Sequence, residues 1–398
     1  MTTTVSKIIS SNLNLVSDYS KKFYKVAPAK FPTASFALTK MGDPPHDIYV
    51  RWGEKEVLQH QTQINNALGY LATATTLVVD STEGMRPGML LYVPRTGEHM
   101  KITAVTNSTT IDVSRGVLDQ TGGAAAALND NDTIFLHTHP VDESMAFSNA
   151  PSPLMYSPSD VYNQLETFIE PVKISNRTLA LIKRGVLKYD ETLDDKRKDA
   201  MELLKQRLNR SLLFGWRATV AGTDGVNTKT GGLRWHASAN GGFINTSVGD
   251  ISAEVTFENT VKAQCMISGN ETLYMACSPT ALQSIQRLYQ GGTLGYTGER
   301  VLSEIGIRVD RVIVPWGNEI IAYLEPLMPD FISAAGATVG HFFLWQPKNV
   351  KWRPNEPIGR YEPPPSGLDF TEYVMTEGGW ELGPAKQIGY YAGVTALV

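Results

Sequence analysis

The segment 190–216 carries the pattern that most restricts how this chain can fold. Six apolar residues recur in it at spacings of three, four and seven positions, which places them along one side of an α-helix. These residues are Leu193, Ala200, Met201, Leu204, Leu208 and Leu212. Asp190 and Glu191 suit the amino-terminal end, where a capping side chain and negative charge are favoured. At 1.5 Å per residue the helix spans roughly 40 Å, so it needs a large body on which to bury its stripe.

Residues 73–137 have a different pattern, in which polar and apolar residues alternate over short runs. The clearest runs are 98–105 and 110–116, which are separated by an Asn107-Ser108 turn. Alternation of this kind places the apolar side chains on one face of a β-strand. Several short strands at regular spacing predict a small β-barrel or sandwich, and we expect this segment to be an inserted β-domain.

Residues 251–344 mix helical and extended patterns. Helices are predicted at 255–267 and 279–289, the second with Pro279 near its start, where a missing N–H costs little. Strands are predicted at 273–276, 307–314, 320–324 and 342–345. This mixture favours an α/β layer with a mixed sheet. The tail returns to a strand pattern at 371–375 and 387–394.

Three other segments show little apolar periodicity. Residues 1–47 contain scattered Pro, Ser and Thr, and we expect an extended arm with little core of its own. Residues 48–72 begin as a strand at Ile48–Trp52 and continue into a polar stretch, which is typical of a projecting loop. Residues 138–160 are rich in proline and serine, and we interpret them as the linker by which the chain returns from that loop. Segments without a core gain stability only by lying on another subunit.

The composition excludes several classes of protein. With 398 residues, 42% hydrophobic and 19% charged, the chain is long enough for two or three packed units. A net charge of −4 argues against a basic nucleic-acid reader, which carries a positive excess. No run of about 18 apolar residues occurs, and no cationic start precedes an apolar stretch. We therefore expect neither a transmembrane helix nor a signal peptide.

The two cysteines, Cys265 and Cys277, both lie on apolar segments. They are interpreted as small buried hydrophobic residues, since a disulfide framework would need more cysteines. This usage is typical of a chain that folds in a reducing cytoplasm.

The strongest candidate for catalysis is the segment His137–Glu143. His137 and His139 would face the same side of a strand and could share a metal ion, which makes a metal-dependent hydrolase one alternative function. The spacing does not match His-x-His-x-Asp-His, because the aspartate is one place late and no histidine follows it. The loop Gly292–Gly298 matches neither phosphate-binding glycine pattern and is interpreted as a mobile loop. We therefore predict no catalytic residue, no cofactor and no metal.

Local motifs resemble those of one family. Tyr49–Lys55 looks like the aromatic, acid-bearing entry to a loop in one branch of phage capsid proteins. The hairpin Glu98–Val105 with Ile111–Gly116 is similar to the Glu-x-Met-x-Val and Val-x-Arg-Gly hairpin of that branch's inserted domain. Asn163–Phe168 and Val172–Ser175 resemble its next segment, although Thr167 stands where glutamine is usual. The chain thus resembles the major capsid proteins of tailed bacteriophages with the Hong Kong 97-type fold.

The resemblance implies an α+β fold made of named parts. These are an N-terminal arm (1–47), an E-loop (48–72 and 138–160), an inserted β-domain (73–137), a peripheral domain (161–250 and 345–398) with a spine helix at 190–216, and an axial domain (251–344). The implied function is self-assembly into hexamers and pentamers of an icosahedral head that encloses double-stranded DNA. Localisation would be the virion capsid, and the protein would not be an enzyme.

The resemblance also implies contacts between subunits. We expect the E-loop of one copy to lie over the spine helix of its neighbour, with six residues at the interface: Trp52, Glu54, Lys55, Glu56, Arg197 and Lys198. Expected partners are further copies of the chain and portal, scaffolding or decoration proteins. Packaged DNA is touched by non-specific contact at most, and no membrane is involved. Shell size, host and proteolytic or crosslinking maturation stay open.

Two other functions remain open from the sequence besides the hydrolase. A phage tail or baseplate protein would be an assembly protein of another class, which tube-forming β-hairpins would favour and the long helix disfavours. A carbohydrate-binding module in the inserted domain would need exposed aromatic residues, and Tyr92 is the one available there.

Overall fold

The structure, a computed structural model, divides the chain into two compact units. The body comprises residues 1–52 and 160–398, and the barrel unit comprises residues 53–159. The structure describes residues 31–55, 61–117, 124–140, 158–177, 180, 184, 193–222, 225–252, 254–269, 271–290, 299–302, 308–333, 336–363 and 369–395. The predicted loop 292–298 and residues 1–30 of the predicted arm therefore lie outside the described residues.

The described helices belong to the body. In chain order they are α1 Pro32–Leu38, α2 Leu193–Phe214, α3 Leu233–Ala239, α4 Glu254–Ser268 and α5 Pro279–Gln290. The predictions of α2, α4 and α5 are confirmed. Pro279 is the first residue of α5, and Asp330 caps that end by accepting hydrogen bonds from the N–H and hydroxyl of Thr280.

The strands occupy most of the remaining described residues. In chain order they are β1 Tyr49–Glu54, β2 Gln61–Gln63, β3 Thr76–Val78, β4 Leu90–Val93, β5 Glu98–Val105, β6 Thr110–Ser114, β7 Thr133–Leu136, β8 Ser159–Gln164, β9 Glu166–Ser175, β10 Ala218–Gly222, β11 Gly225–Lys229, β12 Phe243–Asn245, β13 Leu273–Cys277, β14 Glu299–Leu302, β15 Arg308–Ile313, β16 Glu319–Leu324, β17 Phe331–Ile332, β18 Thr338–Trp345, β19 Lys351–Tyr361, β20 Asp369–Glu381 and β21 Gly389–Thr395.

Six strands of the barrel unit form one sheet in the order β2-β7-β4-β5-β6-β3. An antiparallel bridge between Ile64 and Val79 joins the two ends of that order. Backbone hydrogen bonds of 3.0 Å from Asn65 N–H to the Val78 carbonyl and from Asp80 N–H to the Gln63 carbonyl flank the bridge. The sheet is therefore a closed barrel, in which each described strand has a neighbour on both sides.

The barrel interior follows the alternation of the sequence. In β5 the buried positions are Glu98, Met100 and Ile102, and the residues between them are half-buried or exposed. Leu77, Leu91, Ile111 and Ile134 are fully buried in the same cluster. The prediction of a small β-barrel or sandwich is confirmed in its barrel form. The strand β2 was not predicted, because it lies in a polar stretch that was interpreted as a loop.

The body contains a larger mixed sheet in the order β12-β21-β18-β13-β16-β15-β14, with β17 beside β18. The pairs β12–β21 and β13–β16 are parallel, and the other strand pairs of this sheet are antiparallel. Helices α4 and α5 bury Phe257, Val261 and Ile285 in the core of this layer. The predicted mixed sheet is thus confirmed, and β12 and β21 from the flanking segments also belong to it.

A three-stranded antiparallel sheet, β19-β20-β9, lies under the long helix α2. Leu204, Leu208 and Leu212 on α2 are fully buried in one cluster with Phe168 and Trp352 of the sheet. Complete burial of each leucine contributes about 1.5–3 kcal/mol to folding. Ala200 is buried and Met201 half-buried, so the predicted stripe is the face that packs on the sheet. The side chain of Leu193 lies outside the described residues.

Two predictions need correction. The segment 1–47 was expected to be an extended arm, but residues 32–38 form helix α1, which buries Phe36 and Ala37 in the same cluster as α2. From its four glycines, Gly222, Gly225, Gly231 and Gly232, the segment after the long helix is predicted to be a loose loop. It instead contains the antiparallel hairpin β10–β11 and the helix α3.

Candidate functional site

The residues predicted at the loop entry lie on and just after β1. Trp52 is half-buried, packs against the body core, and its ring centroid lies 5.5 Å from that of the buried His236. Trp52 therefore stabilises its own subunit. Glu54 is half-buried, and its carbonyl accepts a hydrogen bond of 3.2 Å from the Ser159 hydroxyl. Lys55 is exposed, and Glu56 lies outside the described residues.

The residues predicted on the long helix differ from each other in surroundings. Arg197 donates to the buried carboxylate of Glu372 on β20, with its Nε 2.8 Å and one terminal nitrogen 2.7 Å from the same oxygen. Arg360 approaches the other Glu372 oxygen at 3.8 Å. Lys198, one position along, has an exposed side chain. Arg197 thus ties the helix to its own sheet, whereas Lys198 faces outward.

A buried polar network joins three elements of the body, and no motif in the sequence predicts it. Glu325, after β16, is fully buried, and its carboxylate accepts hydrogen bonds from the Thr33 hydroxyl at 2.6 Å, the Thr33 N–H at 3.2 Å and the Asn209 side-chain amide at 2.9 Å. Asn209 on α2 in turn accepts from the N–H of Ala34 at 2.8 Å. The Thr33 and Tyr323 hydroxyls lie 3.0 Å apart. The network fixes α1 to the body.

Burial sets the protonation of this network. Loss of hydration raises the pKa of Glu325, and the donors from Thr33, Leu327 and Asn209 oppose that rise. Burial also raises the pKa of the Tyr323 hydroxyl well above its ordinary value, and the charge of Glu325 adds to the effect. The pKa of Glu325 therefore depends on how completely the surrounding side chains exclude water and on the donors that they supply.

The barrel motif with Glu98 and Arg115 has a clear physical role. The two side chains form a bidentate ion pair with distances of 2.5 and 2.6 Å, and they are 0% and 5% exposed. Arg115 also donates to the carbonyls of Leu71, Ala74 and Ala126. The pair therefore fastens two loops to the barrel wall.

The second motif centres on Asn163, at the end of β8. Its side-chain amide donates to the carbonyls of Gly231 and Trp380, each at 2.9 Å, and its oxygen accepts from Gly231 N–H at 2.7 Å. Asn163 is fully buried, so these bonds satisfy its amide and hold three segments of the body together.

The histidines proposed as metal ligands do not face a common point. His137 lies just past β7, is exposed, and has the His99 ring as a neighbour at a centroid distance of 6.0 Å. His139 instead bonds the Pro87 carbonyl through Nε2 at 2.9 Å. Within the described residues, no three His, Cys, Asp or Glu side chains come close enough to hold a metal ion. Asp142 and Glu143 lie outside those residues.

The other candidates from the sequence have structural surroundings. Tyr92 is half-buried, and its ring packs 4.8 Å from that of His99. Both cysteines are buried and free of disulfide, as predicted. Burial raises the pKa of the Cys265 thiol to about 12, which keeps it from acting as a thiolate nucleophile. Among the described helices, none is both long and apolar enough to span a membrane.

Comparison with known proteins identifies the chain. No curated protein matches it in sequence. Among solved structures it is similar to the capsid of Myoviridae phage XM1, with 9% identity, a TM-score of 0.45, and 95% of this chain and 97% of that chain covered. It is also similar to a Microbacterium phage Oxtober96 structure, with 10% identity, a TM-score of 0.45 and 98% of each chain covered. The model of the SU10 major capsid protein family matches residues 1–395. The chain belongs to that family and is a major capsid protein of a tailed phage, located in the capsid of the virion.

Proposed function

We propose that the chain assembles into hexamers and pentamers of an icosahedral shell around double-stranded DNA. One observation supports this most directly. The long helix α2 lies across the sheet β19-β20-β9 within the same compact body as the mixed sheet and its helices. A subunit of the Hong Kong 97 type is built in this way, from a spine helix on a peripheral sheet and an axial α/β layer.

The finer assignment of parts follows the sequence prediction. Helix α2 is proposed as the spine helix of a peripheral domain, 161–250 and 345–398, and residues 251–344 as the axial domain. Segments 48–72 and 138–160 are proposed as the E-loop, with 73–137 as a domain inserted in it. The inserted domain also takes in β2, Gln61–Gln63, because that strand belongs to the barrel sheet. The paired strands β1 and β8, where the chain leaves and re-enters the body, support this interpretation.

We propose that the E-loop of one copy contacts α2 of its neighbour through surface charges. Lys55 and Lys198 are exposed and Glu54 is half-buried, so these side chains suit such a contact better than Trp52 or Arg197. Each exposed ion pair contributes only about 0–1 kcal/mol, so many weak contacts must act together. Weak contacts let misplaced subunits leave, whereas closed symmetry stabilises the finished shell.

The proposed role is structural and not enzymatic. Portal, scaffolding and decoration proteins are proposed as further partners. A net charge of −4 suits a subunit that encloses DNA without gripping it.

The expressed chain tests this proposal when its particles are counted by negative-stain electron microscopy. We expect closed shells from the natural sequence and a lower yield from Glu54→Lys, because the reversal places like charges at the proposed contact. Glu83→Lys is the matched control, since Glu83 is exposed on a turn of the barrel unit and makes the same charge change. A chain that remains monomeric at every concentration would contradict the proposed function. Equal yields from the two variants would remove Glu54 from the contact.

A further inference from the structure

The hairpin β10–β11 is an ordered element that buries almost nothing in its own subunit. Its five residue pairs run from Ala218↔Lys229 to Gly222↔Gly225, and the two strands form a sheet of their own. All five residues of β11 are exposed, and β10 is exposed at its three central positions. A strand that packs on a core would show alternate buried residues, and neither of these strands does.

Among the described residues, the contacts between the hairpin and the body lie at the base of the hairpin. The Thr219 hydroxyl accepts a hydrogen bond of 2.8 Å from the Gln164 side-chain amide, and the Thr228 hydroxyl donates to the Leu165 carbonyl at 2.6 Å. Just before β10, the Arg217 guanidinium lies between the rings of Tyr162 and Trp235, 4.2 and 4.7 Å from their centroids. The base is thus fixed in position while the outer residues extend away from it.

The outer half presents apolar side chains on both faces. Val220 lies opposite Asn227, and Ala221 lies opposite Val226, so the two valines point to opposite faces of the hairpin. Val220 is 46% exposed and Val226 is 69% exposed. A two-stranded hairpin with both faces in water is marginally stable at best, so this element needs a surface to cover it.

The chemistry of the hairpin also favours pairing with another protein surface. From Thr219 to Gly222 and from Gly225 to Thr228 there is neither a charge nor a proline. Charged residues and proline are the usual protection of an edge strand against pairing with other chains. In the barrel unit, closure of the sheet removes unpaired edges. Among the described strands, none pairs with either outer edge of this hairpin.

We propose that the hairpin β10–β11 docks on a second copy of this chain, which buries Val220 and Val226 between subunits. This inference rests on the proposed function, because a shell brings copies of one chain together in repeated, defined geometry. Each copy displays the same hairpin, whose strands are uncharged from Thr219 to Gly222 and from Gly225 to Thr228, so a single surface on the neighbour can receive it throughout the shell. This contact is separate from the one proposed for Glu54, because the hairpin contact depends on burial of apolar side chains and the Glu54 contact depends on charge.

A single surface thiol tests the contact directly. Because Cys265 and Cys277 are fully buried, Val226→Cys introduces one thiol that a maleimide reagent can reach. We expect its labelling to be about tenfold slower or more in assembled particles than in unassembled subunits of the same variant. Labelling at equal rates in the two states would overturn the hairpin contact. A natural chain that forms no particles would instead contradict the proposed function itself.

A charge placed on the hairpin gives an independent test. Val226→Asp is expected to lower the particle yield about tenfold or more, because the contact would bury an unpaired carboxylate. Val255→Asp on α4 is the matched control, since Val255 is 68% exposed and Val226 is 69% exposed. Circular dichroism of unassembled subunits should show both variants folded. Equal yields from the two variants would overturn the inference.

Discussion

Glu98 in the barrel unit and Glu325 in the body are both fully buried carboxyl groups, but their partners differ. Glu98 has a cation, Arg115, in bidentate contact. The described hydrogen-bond donors to Glu325 are neutral: Thr33, Asn209 and Leu327. Removing one partner of a buried ion pair is costly, because the other charge is then left buried without compensation. A buried carboxyl whose donors are neutral can instead take up or release a proton without breaking an ion pair.

The two carboxyl groups also hold different things in place. The Glu98–Arg115 pair fastens loops to a closed barrel. The Glu325 network holds helix α1, and through it the point from which residues 1–30 depart. The Glu98–Arg115 pair therefore stabilises the interior of the barrel unit, whereas the Glu325 network stabilises the position of helix α1 on the body.

The distribution of tryptophan allows the two sites to be tested separately. All seven tryptophans, Trp52, Trp216, Trp235, Trp316, Trp345, Trp352 and Trp380, belong to the body. Tryptophan fluorescence of unassembled subunits therefore reports unfolding of the body, whereas circular dichroism reports both units.

The largest effect is expected from Arg115→Ala. It leaves Glu98 buried without its counter-charge, which destabilises by about 3–5 kcal/mol. In urea titrations, part of the circular dichroism signal should be lost at lower urea, while the fluorescence midpoint stays unchanged.

Arg95→Ala is the matched control within the barrel. The Arg95 side chain is 45% exposed, and its partner Asp132, which is 8% exposed, keeps a hydrogen bond of 2.6 Å from the N–H of Asn129, so the loss of Arg95 should cost about 1–2 kcal/mol, less than the loss of Arg115. Equal shifts in the two variants would show that burial does not distinguish these pairs.

Glu325→Gln is expected to destabilise the body by about 1–3 kcal/mol. The new amide presents a donor where Thr33 or Asn209 already donates, so one buried donor loses its acceptor. The fluorescence midpoint should fall, while the barrel contribution to the circular dichroism signal is retained. The reverse pattern would contradict the division of the molecule into two separately stabilised units.

The pH dependence sharpens this test. Since burial raises the pKa of Glu325 in the folded chain, the folded state binds the proton more tightly than the unfolded state. Its contribution to stability is greatest below the ordinary glutamate pKa and is lost as pH rises through the raised value. The stability of the natural chain relative to Glu325→Gln should therefore decrease from acidic to neutral pH. A difference that grows with pH would contradict the direction of the shift.

The smallest effect is expected from Thr33→Val, about 1 kcal/mol for the hydroxyl bond to Glu325. Limited proteolysis should cleave near α1 faster than in the natural chain, because the helix is held less firmly. Thr39→Val is the control, since the Thr39 hydroxyl bonds only the nearby Phe36 carbonyl among the described contacts. Equal cleavage rates of the two variants would show that the bond from Thr33 to Glu325 does not hold α1 in place.

The elements that the sequence predicted well are those whose stability depends on a regular apolar pattern. The stripe of α2 and the alternation of β5 each bury one face, so their periodicity can be read without knowing the partner. Strand β19 was missed because Pro354 and Pro357 interrupt it, and its register shifts near both. The hairpin β10–β11 was missed because it packs on no core and therefore has no pattern.

The candidate site was harder to predict for a related reason. Thr33 and Glu325 are 292 positions apart, and neither stands in a motif. Asn209 is fully buried but is a polar residue outside the apolar stripe of its helix, so the periodicity of the sequence does not mark it as buried. The roles of Trp52 and Arg197 within their own subunit depend on His236 and Glu372, which are also far from them in the chain.

The entry and exit of the barrel unit meet at one place, where the Ser159 hydroxyl bonds the Glu54 carbonyl at 3.2 Å. A gene could therefore gain or lose the whole barrel at this point, joined by a turn of a few residues, without redirecting the strands on either side. The same junction offers a position at which a foreign sequence could be inserted once per subunit.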